Sequence, residues 1–485
     1  MRISEIFNLN KSQHELDFVD IDIGRDTPLF LDPYLIGNRE DEWSRNAHRT
    51  IESFFQYILE LYKSDLKTEA KMLFENLGES NETCLGISEN MPNGRGVGVG
   101  EAETIFDNLI DSHVIESGVV KRFEDMVIFV KNVGKDKISD LATNIIRKHL
   151  IEYTISQCEL HKIPLQRDVP TGNYWDGSRK NWINEYNRGL VVEGRVIILV
   201  PKWCVSYTSA YTSDQYCRHF VLNFLKNEHL RLNTSLVKSR VLKNGATKRW
   251  VVKDEVAKHE GAYRKEYLVD FTAKHPEIFQ DFKRKYKKKM RPLTNEELDV
   301  ILEQEQIDII DYLINKFDEI DVGNKQANDF HKLITGVMEY IFYPQLTRPT
   351  VEDEIHDGRK RIDISFDNSA KEGFFHELHQ TKGIQSPYIF VECKNYGKEI
   401  KNPELDQIAG RFSPNRGRFG IIVFRSTENM DYIIKKCADA YHDSRGCILP
   451  LEDKDFKEML NQIREENNGY IEEFLKKRLR KIIIQ

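Results

Sequence analysis

Three residue types in the C-terminal third are spaced for metal-assisted hydrolysis: Asp363, and the Glu392-Cys393-Lys394 tripeptide. Two carboxylates can hold a divalent cation, and a lysine beside them can position or polarise a water. The substrate class for that chemistry is a phosphodiester. Tyr388–Asn395 alternates as a strand, with Ile389, Val391 and Cys393 on one face and Phe390, Glu392 and Lys394 on the other. Lys360–Phe366 reads as a second strand, with Ile362, Ile364 and Phe366 opposite Arg361, Asp363 and Ser365. Pairing these strands with their apolar faces together brings Asp363, Glu392 and Lys394 to one edge.

The flanking sequence supplies elements to hold that edge. Asp329–Phe342 predicts an amphipathic helix with Phe330, Leu333, Ile334, Val337, Met338 and Ile341 as its stripe, ended by Pro344. Glu339 lies beside the stripe, either reaching over the sheet edge or standing as a surface acid. Glu352–Phe366 predicts a hairpin turned at Asp357-Gly358, followed by Arg359, Lys360 and Arg361, which can hold a phosphate backbone. Asn368–Ser386 is an insertion with a short helix over Phe374–His379. A helix over Pro403–Phe412, a buried strand Phe419–Phe424, a helix Met430–Tyr441 and a strand Gly446–Leu451 follow.

From roughly Asn324 to Lys454, about a quarter of the chain, this succession resembles the PD-(D/E)xK nuclease superfamily. Asp363 takes the place of the first acid, with Ile362 where the family name has proline, and Glu392-Cys393-Lys394 supplies the Glu-x-Lys. The resemblance implies an α/β domain with a restriction-endonuclease-like mixed sheet flanked by helices. It implies a Mg²⁺-dependent nuclease, with Mn²⁺ as a substitute metal, acting on DNA. Asp363 and Glu392 would hold the metal, Glu339 would assist from its helix, and Lys394 would orient the attacking water. Gln407 matches a supporting glutamine of some branches, whereas Arg411 stands where a tyrosine often follows. A nuclease fold without catalysis, used to bind nucleic acid or a partner, is the alternative.

The chain of 485 residues has a net charge of −7 and is 31% charged, so any contact with nucleic acid must come from local basic patches. Seven scattered cysteines without a CxxC pair read as reduced thiols rather than a disulfide framework or zinc site. No signal peptide and no membrane span are expected, which predicts a cytoplasmic protein. Composition suggests three regions: an α+β N-terminal part over 1–190, a middle part over 191–320, and the nuclease-like part over 321–485.

In the first part, Phe18–Ile23 and Leu29–Leu31 read as short strands around Gly24-Arg25-Asp26. Their acids, Asp17, Asp20, Asp22, Asp26 and Asp32, are either a second metal site or polar positions on half-buried strands. The glycines of 94–100 precede a helix but match neither a P-loop nor a dinucleotide fingerprint, leaving a ligand loop or a simple connection. Met126–Val130 and Val191–Val200 read as strands, and Asp136 or Ser139 as the N-cap of a long helix.

Lys238–Arg291 holds seventeen Lys/Arg against seven Asp/Glu, with Trp250, Tyr263, Tyr267 and Tyr286 interleaved. Lys283, Arg284, Lys285 and Lys287 head its densest run, either a nucleic-acid track or a solvated helix face. Leu293–Glu319 predicts an acidic helix bridging to the C-terminal part. The long N-terminal portion resembles the extra domains of bacterial restriction and phage-defence proteins, which implies control of the nuclease by target recognition, by homo-oligomerisation, or by a phage-derived or other trigger. The basic C-terminal run Tyr470–Ile484 either packs on the domain, touches DNA or mediates association.

Overall fold

The computed structural model describes residues 1–78, 80–86, 99–111, 114–207, 211–242, 246–303, 309–351, 364–395, 400, 402–467 and 469–484. The glycine-rich stretch 94–98, the predicted Asp357-Gly358 turn, Arg359, Lys360, Arg361 and Asp363 lie outside the described residues.

The C-terminal region is a mixed five-stranded sheet flanked by helices, and an α+β region precedes it. Across the sheet the order is Cys447–Glu452, Phe419–Phe424, Tyr388–Lys394, Ile364–Asn368, Leu346–Val351. The first three strands are parallel, and the last two add antiparallel. Phe419–Phe424 is buried along its whole length, as an apolar run in the middle of a helix-covered sheet must be. The register sets Val391 opposite Ile364 on one side, and Glu392 opposite Ile422 on the other.

Two hydrophobic clusters organise the chain, one spanning Ile3 to Leu302 and the other Ile309 to Ile482. The expected bridging helix is two helices: Asn295–Leu302 buries Leu298 and Leu302 in the first cluster, and Ile309–Glu319 buries Leu313 and Phe317 in the second. The C-terminal helix Tyr470–Ile484 packs Leu475, Leu479 and Ile482 into the second cluster. Its Arg478 pairs with Asp455, and Lys476 with Glu377 and Glu472.

Four local expectations are corrected. Met126–Phe129 is a helical turn, not a strand. Five consecutive buried apolar residues carry no period that separates helix from strand, and the carbonyls of Val127, Val130 and Val133 accept from the Lys265 ammonium at 2.6–3.0 Å. Val191–Val200 is folded into a hairpin, with Asn181–Val192 paired to Arg195–Ile197. Glu193 and Gly194, at φ 51° and 77°, form the tight turn between them. Phe18–Ile23 makes isolated bridges only, and the long helix expected after Val130 starts from Gly134 as its N-cap rather than Asp136 or Ser139.

The five N-terminal acids do not converge. Asp20 accepts from Ser4, Asp22 from the N-terminal amine, and Asp32 caps the next helix through Tyr34 N–H. Asp17 is fully buried and lies in a separate cluster with Lys202.

Candidate active site

The strand Tyr388–Lys394 carries the chemistry at its carboxyl end. Ile389 and Val391 face the second cluster, while Phe390, Glu392 and Lys394 lie under the helix Asn402–Ala409. That helix sits close because of Gly420: a Cβ there would come within 2.7 Å of Ile408 Cδ1. The close approach brings Gln407 over the strand. Lys394 Nζ donates to Glu392 Oε1 at 2.5 Å and to Gln407 Oε1 at 2.9 Å. Glu392 is 2% exposed, so its carboxylate is held by this ammonium with little help from solvent. Burial raises the Cys393 thiol on the opposite face far above its usual range, so it serves packing rather than nucleophilic chemistry.

A second polar group, which sequence reasoning missed, fixes the same end of the sheet. Arg425 follows the buried strand Phe419–Phe424 and donates from Nε to Asp453 Oδ2 at 2.6 Å. Its Nη1 reaches Asn395 Oδ1 at 3.0 Å and Ile320 O at 2.7 Å, and its Nη2 reaches Phe317 O at 2.8 Å. The guanidinium therefore caps the last carbonyls of the helix Ile309–Glu319 and ties that helix to the residue after Lys394. Asn395 completes the tie, donating to Asp321 O and Gly323 O at 3.0 and 2.9 Å. Burial pushes Asp453 up to about 7, and Arg425 offsets part of that cost. The available signal was a charged residue directly after a wholly apolar strand. Arg425→Met is expected to lower unfolding stability by about 2–4 kcal/mol, because it leaves Asp453 buried and the helix carbonyls without their donor. Denaturant unfolding at neutral pH checks this, and a loss within the error of the measurement would refute the capping role.

Glu339 is placed away from this edge, which corrects the expectation that it assists there. The helix Ala327–Phe342 begins beside Asn395, whose partner is Gly323, and ends beside the start of the strand Leu346–Val351. Glu339 lies twelve residues along it, about 18 Å at 1.5 Å per residue. There it is fully buried, with Oε2 3.5 Å from Nζ of Lys202, itself fully buried. Lys202 also reaches Asn295 Oδ1 at 3.2 Å and lies 4.2 Å over the Tyr343 ring. Asp17 completes the cluster: it accepts from Tyr153 OH at 2.8 Å and from Arg348 N–H at 3.0 Å. Nearby, Arg39 joins Asp41 at 2.9 Å to Thr347 at 2.8 Å, and Gln157 donates to Pro349 O at 3.1 Å. Polar side chains of the N-terminal region thus bind the edge strand of the sheet. Burial and the neighbouring Asp17 push Glu339 up to about 8, against the pull of Lys202.

The basic run divides by burial. Lys283 pairs with buried Asp125 at 2.8 Å, and Tyr286 packs against Tyr34 and Tyr211, so both hold the helix Pro276–Lys289 in place. Arg284, Lys285 and Lys287 are exposed, as is Lys288. Tyr263 is 44% exposed, whereas Trp250 and Tyr267 are half-buried.

No curated protein and no solved structure matches the chain significantly. Residues 8–212 match a family model described as a domain of unknown function, DUF8370. That span contains Asp17, Arg39 and Gln157, which bond the edge strand Leu346–Val351, and Lys202, which faces Glu339.

Proposed function

We propose that the chain is a metal-dependent nuclease of the PD-(D/E)xK type, hydrolysing phosphodiester bonds in DNA as part of bacterial restriction or antiphage defence. The observation that supports this most is the Lys394 ammonium held between Glu392 and Gln407 at the end of a central strand. Asp363 directly precedes Ile364, whose partner across the ladder is Val391, the neighbour of Glu392 in sequence. Carboxylate oxygens are the donors Mg²⁺ takes, and Asp363 with Glu392 would hold it. Such an ion lowers the pKa of water and offsets charge on a phosphoryl oxygen. Lys394 aligns the nucleophile and adds positive charge where the phosphorane becomes more negative. Gln407 keeps the ammonium from collapsing onto Glu392 alone.

The purified protein with Mg²⁺, offered plasmid, linear and single-stranded DNA and RNA, tests the reading. Cleavage of DNA that stops on chelation is expected. Binding without any cleavage would replace it with a catalytically silent nuclease fold, and cleavage of RNA alone would remove DNA as the substrate.

The exposed cations of the helix Pro276–Lys289 are the part of the basic run that fits a phosphate track. Exchanging Arg284, Lys285, Lys287 and Lys288 for glutamine is expected to weaken DNA binding and reduce the salt slope by roughly 0.9 for each phosphate no longer neutralised. Lys283→Gln should instead act on stability, because its partner is buried Asp125. Binding measured over a series of salt concentrations separates the two, and an unchanged slope would return the run to a solvated surface.

A further inference from the structure

The helix Leu222–Leu232 carries His229 in its last turn, and the helix Lys253–Glu260 ends on His259 and Glu260. Between them the chain runs out and back as the antiparallel strands Lys238–Val241 and Thr247–Trp250. The three side chains converge where the two helices end. Glu260 Oε1 lies 3.6 Å from His229 Nε2 and 3.0 Å from His259 Nδ1, and all three ligand atoms lie within 4.8 Å of one another. Donors bound tetrahedrally at about 2.0–2.1 Å from zinc stand about 3.3–3.4 Å apart. The side chains are therefore already near coordinating separation.

Two further contacts orient the set. His229 Nδ1 faces Thr234 Oγ1 at 2.8 Å, which fixes the ring and turns Nε2 toward Glu260. An outer partner on the second ring nitrogen is what a ligating histidine ordinarily has. Tyr267 OH donates to the other oxygen of Glu260 at 3.5 Å. His229 is nearly enclosed, whereas His259 stands open to solvent, leaving a side from which water can complete the coordination.

We propose that His229, His259 and Glu260 form a site for a divalent transition ion of the zinc class, separate from the Glu392–Lys394 edge. Two imidazoles and one carboxylate suit zinc, whereas Mg²⁺ takes oxygen donors and keeps most of its water. The ion joins the helices on either side of a basic hairpin whose Lys238, Arg240, Lys248 and Arg249 are exposed. A two-stranded hairpin has little stability of its own. Clipping its base limits the directions in which those cations point. One carboxylate against a dication also leaves the site net positive, in keeping with a face that meets an anionic partner.

The full-length protein is stripped with a chelator, exposed to Zn²⁺, desalted and assayed for metal. About one zinc per chain is expected in the wild type, and background levels in His259→Ala and Glu260→Gln. Thr234→Val should weaken zinc binding by about 10–100-fold, since it removes only the outer partner of His229. Cobalt in place of zinc should give the intense visible absorption of a four-coordinate site, lost in the same variants. Glu392→Gln should retain its zinc, which keeps this outcome apart from the fate of the nuclease reading. His259→Ala should unfold as the wild type does when both lack metal, since His259 is a surface residue. Equal zinc in the wild type and a His229→Ala/His259→Ala double variant would overturn the site, as would a cobalt spectrum that the substitutions leave unchanged.

Discussion

Lys394→Ala is expected to lower DNA cleavage by about a hundred- to a thousandfold, the scale on which removal of a charge-stabilising group acts. The geometry explains why so much rests on one side chain. Its ammonium is the donor to Glu392 and Gln407 at the strand end, and Glu392 is almost wholly buried. The same burial has a structural cost, because the variant takes a charged donor from a buried carboxylate, at about 1–3 kcal/mol. Activity must therefore be measured well below the variant's own unfolding midpoint. Glu392→Gln and Asp363→Ala should abolish cleavage for a different reason, loss of a metal ligand, and Glu392→Gln should leave Lys394 with a weaker partner. Gln407→Ala should be milder, near tenfold, since Glu392 still holds the ammonium. Cleavage by Lys394→Ala at the wild-type rate, with the protein folded, would remove the lysine from the mechanism.

Lys202→Met is expected to destabilise the protein by about 3–5 kcal/mol, more than Arg425→Met. The variant leaves Asp17 and Glu339 buried without the ammonium that pairs with Glu339. Lys202 set between two acids, with Arg39 and Lys11 adding only weaker pulls, also explains their titration. The cluster reaches neutrality when one carboxyl keeps its proton, and Glu339, pushed up to about 8, is that group. Relative to the ordinary 4.5 of an exposed glutamate, its folded form holds a proton that the unfolded chain has released. Stability from this group is therefore full below about pH 4.5 and falls as pH rises toward 8, by at most about 1.4 kcal/mol per pH unit.

Asp17 is raised by burial and adds a slope of the same sign, whereas Lys202 is lowered by burial and opposes it at higher pH. Glu339→Gln mimics the protonated acid. It should match the wild type within about 1 kcal/mol near pH 5, exceed it by about 2 kcal/mol near pH 6 and by more at pH 8. Denaturant unfolding of both proteins from pH 5 to 8 isolates this one group from other titrating acids such as Asp367 and Asp453. A loss of several kcal/mol in Glu339→Gln at pH 6 would show that the carboxyl is ionised and paired. Because the cluster joins residues of 8–212 to the strand Leu346–Val351, these substitutions also probe how firmly the N-terminal region holds the sheet.

Elements whose pattern is periodic and local were legible in the sequence. The alternation in Tyr388–Asn395 located the strand, and the helical stripe from Phe330 to Met338 located the helix that packs beneath it. The Gln407 helix and the unbroken apolar run Phe419–Phe424 could be read in the same way, because periods of two and 3.6 follow from backbone geometry alone. Local pattern failed where every residue was apolar. Met126–Val130 offers no polar face, and Lys265, more than a hundred residues away, supplies the donor for its carbonyls.

Which polar residues meet was settled by the packing of the elements. Glu339 has the helical phase to face the sheet, but phase does not say how far along the helix an end of the sheet lies. Its position near the helix's last turn delivers it to Lys202 instead of Glu392. Lys283 and Arg284 are neighbours in one basic run, yet only Lys283 finds a buried acid. Arg425, Asn395 and Asp453 come from three strand ends far apart in the chain, as His229 and His259 come from two helices. Such groups are joined when whole elements pack, and the spacing of residues within one segment carries no record of that packing.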